Sequence, residues 1–173
     1  MNSLLSYPLL KRLLMPLGLL FCLLFSVHTE GQEKPPKPIL VTVSTAQHLQ
    51  FGSFIQTGSN GTVTVAYTGA RTAAGSVILP NISSSAFPTA ALFIVEAHPG
   101  TLITILNGPD VFLTGSNGGT MKLTIGESST RSPFVTRGKY TDVFIGGTLT
   151  VGPMTANPAG SYSGTFQVTF IQE

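Results

Sequence analysis

Beyond the first 31 residues the chain carries two histidines, His48 and His98, and four acids inside the body of the sequence, Glu96, Asp110, Glu127 and Asp142. Acyl transfer by a serine needs a Gly-x-Ser-x-Gly elbow on a strand-to-helix turn, with a histidine and an acid converging on the hydroxyl. The stretch "GSYSG" (160–164) has the glycines of such an elbow but places Tyr162 where the nucleophile belongs. His48, in "STAQHLQFG", reads as a surface residue flanking a strand, and His98, directly before Pro99, as part of a turn. A metal centre would want clustered His, Cys or carboxylate ligands, whereas these acids stand isolated along the chain. Two of them meeting in space as an acid and base is compatible with the sequence; solvated turn residues are the plainer reading. No catalytic, cofactor-binding or metal-ligating residue is therefore assigned, and no cofactor or small-molecule substrate is expected.

Two glycine-rich stretches, "TGSNGTVTV" (57–65) and "TGSNGGTMKLTI" (114–125), resemble each other. A phosphate-cradling loop would need a Lys-Ser/Thr pair and a following helix whose amides point at the anion. Here threonine follows and the next segment alternates like a strand. Asn60-Gly61 and Asn117-Gly118 are instead the dipeptides of tight hairpin turns, and turns are expected at both. The one locally basic stretch, "STRSPFVTRGKY" (129–140), sets Arg131, Arg137 and Lys139 around Phe134 and Tyr140. It reads as a solvated loop, with contact to an acidic glycan or surface polymer as the functional alternative. Asn60 and Asn81 match the N-glycosylation acceptor pattern and are given no role.

The elements that would position these residues are strands. From residue 39 onward, "ILVTVS", "LQFGSFI", "TVTVAY", "SVILP", "ALFIVE", "TLITIL", "DVFLT", "TMKLTI", "DVFIGGTLTV" and "TFQVTFI" are short, rich in β-branched or aromatic residues, and separated by Gly, Pro, Asn and Ser. Several alternate with period two: Val63 and Val65 against Thr62 and Thr64, Met121, Leu123 and Ile125 against Lys122 and Thr124, and Phe166, Val168 and Phe170 against threonine and glutamine. One face of each is thus expected to be buried and the other to carry hydroxyls. Without helices to cover a parallel sheet, two packed antiparallel sheets are the expected architecture, with a closed barrel second. Gly52 and the pair Gly146 and Gly147 interrupt their strands, which suits a bulge or a bend.

Composition bounds the class. Charged residues are only 9% of the 173, and the sole cysteine, Cys22, lies in the leading segment. That segment, 1–31, has Lys11 and Arg12 before an apolar run (13–27) too short for an ordinary membrane span, then Thr29 and Gly31, and reads as a signal peptide. The proline-rich stretch 32–38 is a spacer, leaving 39–173 as a single β-sandwich domain. Cleavage would remove two of nine bases and one of seven acids, leaving seven against six and a net charge of +1. Scattered charge of that size is no footprint for nucleic acid. A membrane would be met only through an uncleaved leading segment, and the expected place is periplasm, outer cell surface or extracellular space.

In sequence order, Leu49-x-Phe51-Gly52, Gly69-x-Arg71 with Gly75, Gly147-Thr148-Leu149 and the closing Gly160-x-Tyr162-x-Gly164 make the chain resemble the bacterial family called domain of unknown function 4402, over about residues 39–171. The resemblance implies a secreted immunoglobulin-like antiparallel β-sandwich with no assigned activity, and so no functional residue to carry over. The ending is also similar to spore coat protein U and to subunits of chaperone-usher pili. The chain departs from those in having no cysteine after the leading segment and in ending "FIQE". Expected partners are further copies of the chain or other surface subunits, in a structural or adhesive role.

Overall fold

The structure is a computed structural model, and it describes residues 40–43, 47–80 and 87–173. The leading segment and the spacer lie outside the described residues. Every regular element among those described is a strand: β1 (Leu40–Val43), β2 (Ile55–Val65), β3 (Arg71–Ile78), β4 (Ala91–Glu96), β5 (Leu102–Asn107), β6 (Val111–Gly115), β7 (Thr120–Ser128), β8 (Phe134–Val135), β9 (Tyr140–Val151), β10 (Tyr162–Ser163) and β11 (Val168–Gln172). All pairings between them are antiparallel. They make two sheets, one in the order β1-β4-β9-β7-β6-β10 with β2 and β3 attached, the other β11-β5-β8. The fold is therefore the expected all-β antiparallel sandwich.

The long strand β9 organises the larger sheet. Its first half pairs with β4, from Tyr140 opposite Glu96 to Ile145 opposite Ala91, and its second half pairs with β2, from Gly147 opposite Val65 to Val151 opposite Gly61. The side chains of β9 feed two cores. Val143 and Ile145 join Phe93, Val95, Ile103, Ile105 and Phe134 between the two sheets, while Leu149 and Val151 join Val63, Val65, Leu113, Met121, Leu123 and Phe51. Phe166 packs against both clusters, and Phe93 meets Phe166 edge-on at 6.4 Å between ring centroids and Phe170 at 5.6 Å. Fully buried side chains such as Ile145, Leu149 and Val95 are each worth roughly 1.5–3 kcal/mol against exposure.

Alternation sorts the faces as the sequence pattern requires. Val63 and Val65 are fully buried, and Thr62 and Thr64 lie on the opposite face. There Thr72, Thr64, Thr148 and Thr124 stand in register across β3, β2, β9 and β7, and the hydroxyls of Thr64 and Thr148 are 3.0 Å apart. Cross-strand threonine pairs of this kind stabilise a sheet without adding charge.

Three expectations need correction. Asn60-Gly61 is no hairpin turn: it lies inside β2, at the register shift between Gln56 and Gly61. A Cβ on Gly61 would sit 2.7 Å from both Ala74 O and Val77 Cγ2, so the glycine serves close approach to β3. The β2–β3 turn is at 66–70 instead, closed by Ala66 N–H to Ala70 O at 2.9 Å, with Gly69 at φ 81°. Asn117-Gly118 does turn, Gly118 and Gly119 taking φ 86° and 75° between β6 and β7. Secondly, "LQFGSF" is not a strand before Ile55: Gln50 makes one isolated bridge to Thr89, Gly52 is left-handed at φ 66°, and the guanidinium of Arg71 donates to Phe51 O at 2.9 Å and Ser53 O at 3.0 Å. A side chain takes the carbonyls that a neighbouring strand would have used. Thirdly, "STRSPFVTRGKY" is only partly a solvated loop, because β8 buries Phe134 against β5.

Candidate functional site

The dispersed acids go to separate places. Glu96 ends β4 and pairs with Lys139 at 3.2 Å; Asp110 precedes β6 and pairs with Lys122 at 3.1 Å. Asp142 lies opposite Ile94 on the outer face of β9, and Glu127 sits near the end of β7. The two histidines are exposed: the His48 carbonyl accepts from Thr89 Oγ1 at 2.6 Å, and the His98 ring contacts Pro99 O at 2.8 Å in a turn completed by Gly100 at φ 87°. Among the described residues, no group of three or more His, Cys, Asp or Glu side chains is arranged to hold a metal ion. The near-elbow "GSYSG" contains the two-residue strand β10, and the Tyr162 hydroxyl donates to Pro158 O at 2.7 Å while its ring packs on the core.

Hydrogen bonding by the Thr124 hydroxyl and then by Lys122 holds the Asp110 carboxyl below its ordinary value of 3.8. A depressed carboxylate stabilises the fold above its unfolded pKa, and that contribution fades as pH falls through the lower folded value. We expect the Asp110 carboxyl, followed by NMR, to titrate below 3.8 and to return towards it in a Lys122→Met variant; the pair being exposed, global stability should barely change.

The basic stretch splits. Lys139 turns to Glu96 and to Tyr140, whose hydroxyl it meets at 2.8 Å and whose ring centroid it approaches at 4.8 Å. Arg131 lies elsewhere, on a polar cleft of about 450 Å³ lined by Ile105, Asn107, Glu127, Ser128, Arg131 and Ser132. This cleft opens where β7 leaves the larger sheet and β5 belongs to the smaller one. Its walls are fixed by local bonds: Ser132 Oγ accepts from Ile105 N–H at 2.8 Å and donates to Ile105 O at 3.0 Å, Ser128 Oγ donates to Arg131 O at 3.2 Å, and Asn107 Nδ2 donates to Gly126 O at 2.9 Å. Arg131 adopts φ 60°, the only non-glycine at positive φ among the described residues. Sequence reading named Glu127 and Arg131 but had no reason to join them with Asn107, which belongs to a strand ending some twenty residues earlier. The one available signal was "ESSTR", a serine- and threonine-rich turn that returns the chain after four residues.

A second feature concerns the sheet margins. The strands that pair on one side only, β1, β3, β10, β8 and β11, contain a single charged residue, Arg71. Its guanidinium is turned back to Phe51 and Ser53 and so does not guard the margin. Soluble sheet proteins ordinarily place lysines or other charges there to discourage strand addition. β1 itself fills the margin of β4 from within the same chain, Leu40 lying opposite Glu96 and Val43 opposite Phe93.

No curated protein and no solved structure matches the chain. The family described as Domain of unknown function (DUF4402) matches residues 41–171, from β1 to within β11. That span includes both sheets, both cores and the polar cleft, and the chain belongs to the DUF4402 family.

Proposed function

We propose that this protein is a non-enzymatic, exported β-sandwich that serves as a structural or adhesive component of the bacterial cell surface or extracellular matrix. The observation that carries the reading is the uncharged margin of the sheets. β3 keeps regular pairing with β2 from Arg71 to Gly75 and presents only Thr72 and Ala74 as exposed side chains between them, while β11 exposes Thr169 and Ile171. Such margins suit a protein whose edges are covered by further subunits, and they are a liability for one that must remain alone in a crowded cytosol. The signal-like leading segment and a body with few charges and many hydroxyls support the same reading.

The pilus-subunit alternative asks for a sheet completed by a strand from a neighbour. The intramolecular β1–β4 ladder favours a self-contained domain over that alternative. A second alternative is a small glycan-active enzyme using dispersed carboxylates; of those acids, Glu96 and Asp110 each face a lysine.

Two lysines on the margins test the proposal. Ala74→Lys and Thr169→Lys together should weaken self-association by roughly tenfold, as read by light scattering across a concentration series, without moving the thermal midpoint by more than a degree or two. A wild-type protein that stays monomeric throughout, or that is recovered from the cytosol with residues 1–31 intact, would sink the reading.

A further inference from the structure

We infer that the cleft between β5 and β7 binds a carboxylated sugar residue of the kind found in acidic polysaccharides. Both serines on the cleft are committed to backbone partners, and the Asn107 amide nitrogen is committed to Gly126 O, which leaves its Oδ1 as an acceptor. Glu127 and Arg131 both line the cleft, yet neither belongs to the ion pairs formed among the described residues, which are Lys122–Asp110 and Lys139–Glu96. The cleft therefore offers the Arg131 guanidinium, with its five donors, and two acceptors in Glu127 and Asn107 Oδ1. A carboxylate fits the fork through two parallel charge-assisted bonds. Ring hydroxyls donate to the two acceptors. A neutral sugar would leave the fork empty, and a bare anion would leave the acceptors without donors.

The backbone at Arg131 points the same way. At φ 60° a residue with a Cβ carries a backbone penalty that glycine avoids. Gly would be the relaxed choice in a four-residue turn closed by Arg131 N–H to Ser128 O at 3.2 Å. An arginine kept there places a cation on the cleft at a cost to the fold, which is the pattern of strain held at binding positions. The volume, about 450 Å³, lies within the rough 300–1,000 Å³ range of small-ligand sites. The site would give the proposed surface protein a ligand. It rests on that reading only for its biological setting, because binding in solution does not depend on where the protein resides.

The probe is a short oligogalacturonate, with its methyl ester as the uncharged control, titrated into the purified protein by calorimetry and followed by amide NMR. Saturable binding of the acid is expected, with shifts centred on residues 105–107 and 127–132, and at least tenfold weaker binding of the ester. Arg131→Gly should lose tenfold or more of the affinity while its thermal midpoint stays equal or rises. Arg137→Ala, which removes an exposed cation of the same stretch that does not line the cleft, should change affinity less than twofold. Absence of saturable binding, equal binding of the ester, or equal losses from Arg131→Gly and Arg137→Ala would each overturn the inference while leaving the surface role untouched.

Discussion

Replacing Gly146 by alanine is expected to cost about 3 kcal/mol or more, read as a fall in the urea midpoint at an unchanged m-value. The position is the point on β9 where β4 ends its pairing and β2 begins. The end of β2 passes so close that a Cβ on Gly146 would overlap Val65 O, and it would lie 2.8 Å from Ala66 C and 2.9 Å from Tyr67 N. All three atoms are backbone, so no rotamer change relieves the overlap; β2 or β9 must move. On its other side β9 is paired with β7, Ile125 lying opposite Gly147, so β9 cannot move away from β2 without disturbing that pairing. Either shift disturbs both cores, because Val143 and Ile145 sit on one side of the crossing and Leu149 and Val151 on the other. Gly69→Ala is the contrast: it has φ 81° with nothing within 4 Å of an added Cβ, so only the left-handed backbone penalty of roughly 1–2 kcal/mol applies. Equal losses from the two variants would show that the β9 crossing tolerates displacement and that the glycine is not required by packing.

That contrast also shows what the sequence could convey. "ALFIVE" coincides with β4 residue for residue, and the Val63/Val65 and Met121/Leu123 alternations fall on the buried faces, because a half-buried strand writes its pleat directly into residue order. Gly146-Gly147 read as a bulge or bend, yet β9 runs through both without a break and the extra residue lies opposite, in β7 between Ile125 and Ser128; what Gly146 answers is the end of β2, distant in sequence, which no local pattern names. Asn60-Gly61 misled for the reverse reason: the dipeptide suits a turn, while contact with Ala74 and Val77 of β3 required a small residue within a strand. β8 and β10 are two residues each, shorter than any periodicity. The leading segment that suggested export falls outside the described residues. For the cleft, Glu127 and Arg131 were visible as a charged turn, yet only the packing of β5 beside β7 brings Asn107 and Ile105 to them.

Asn157→Ala is expected to cost about 2–4 kcal/mol, the second large effect, from a residue that sequence reading passed over. Asn157 is 5% exposed, and its side chain replaces a piece of missing sheet. Oδ1 accepts the Gly152 N–H where β9 ends, and Nδ2 donates to Thr120 O at 2.6 Å, where β7 begins, and to Ala156 O at 3.0 Å. The turn that delivers it is closed by Ala156 N–H and Asn157 N–H, both 2.8 Å from Pro153 O. Alanine would keep the turn but leave the half-buried Gly152 N–H and the carbonyls of Thr120 and Ala156 without their partner, and a polar group left unpaired away from water costs roughly 1–3 kcal/mol. The loss should be local in its first effect: amide exchange at Gly152 should accelerate well before that of Val143 or Ile145 in the other core. If Gly152 stays as protected as in the parent protein, water has replaced the side chain, and Asn157 does not tie β9 to β7.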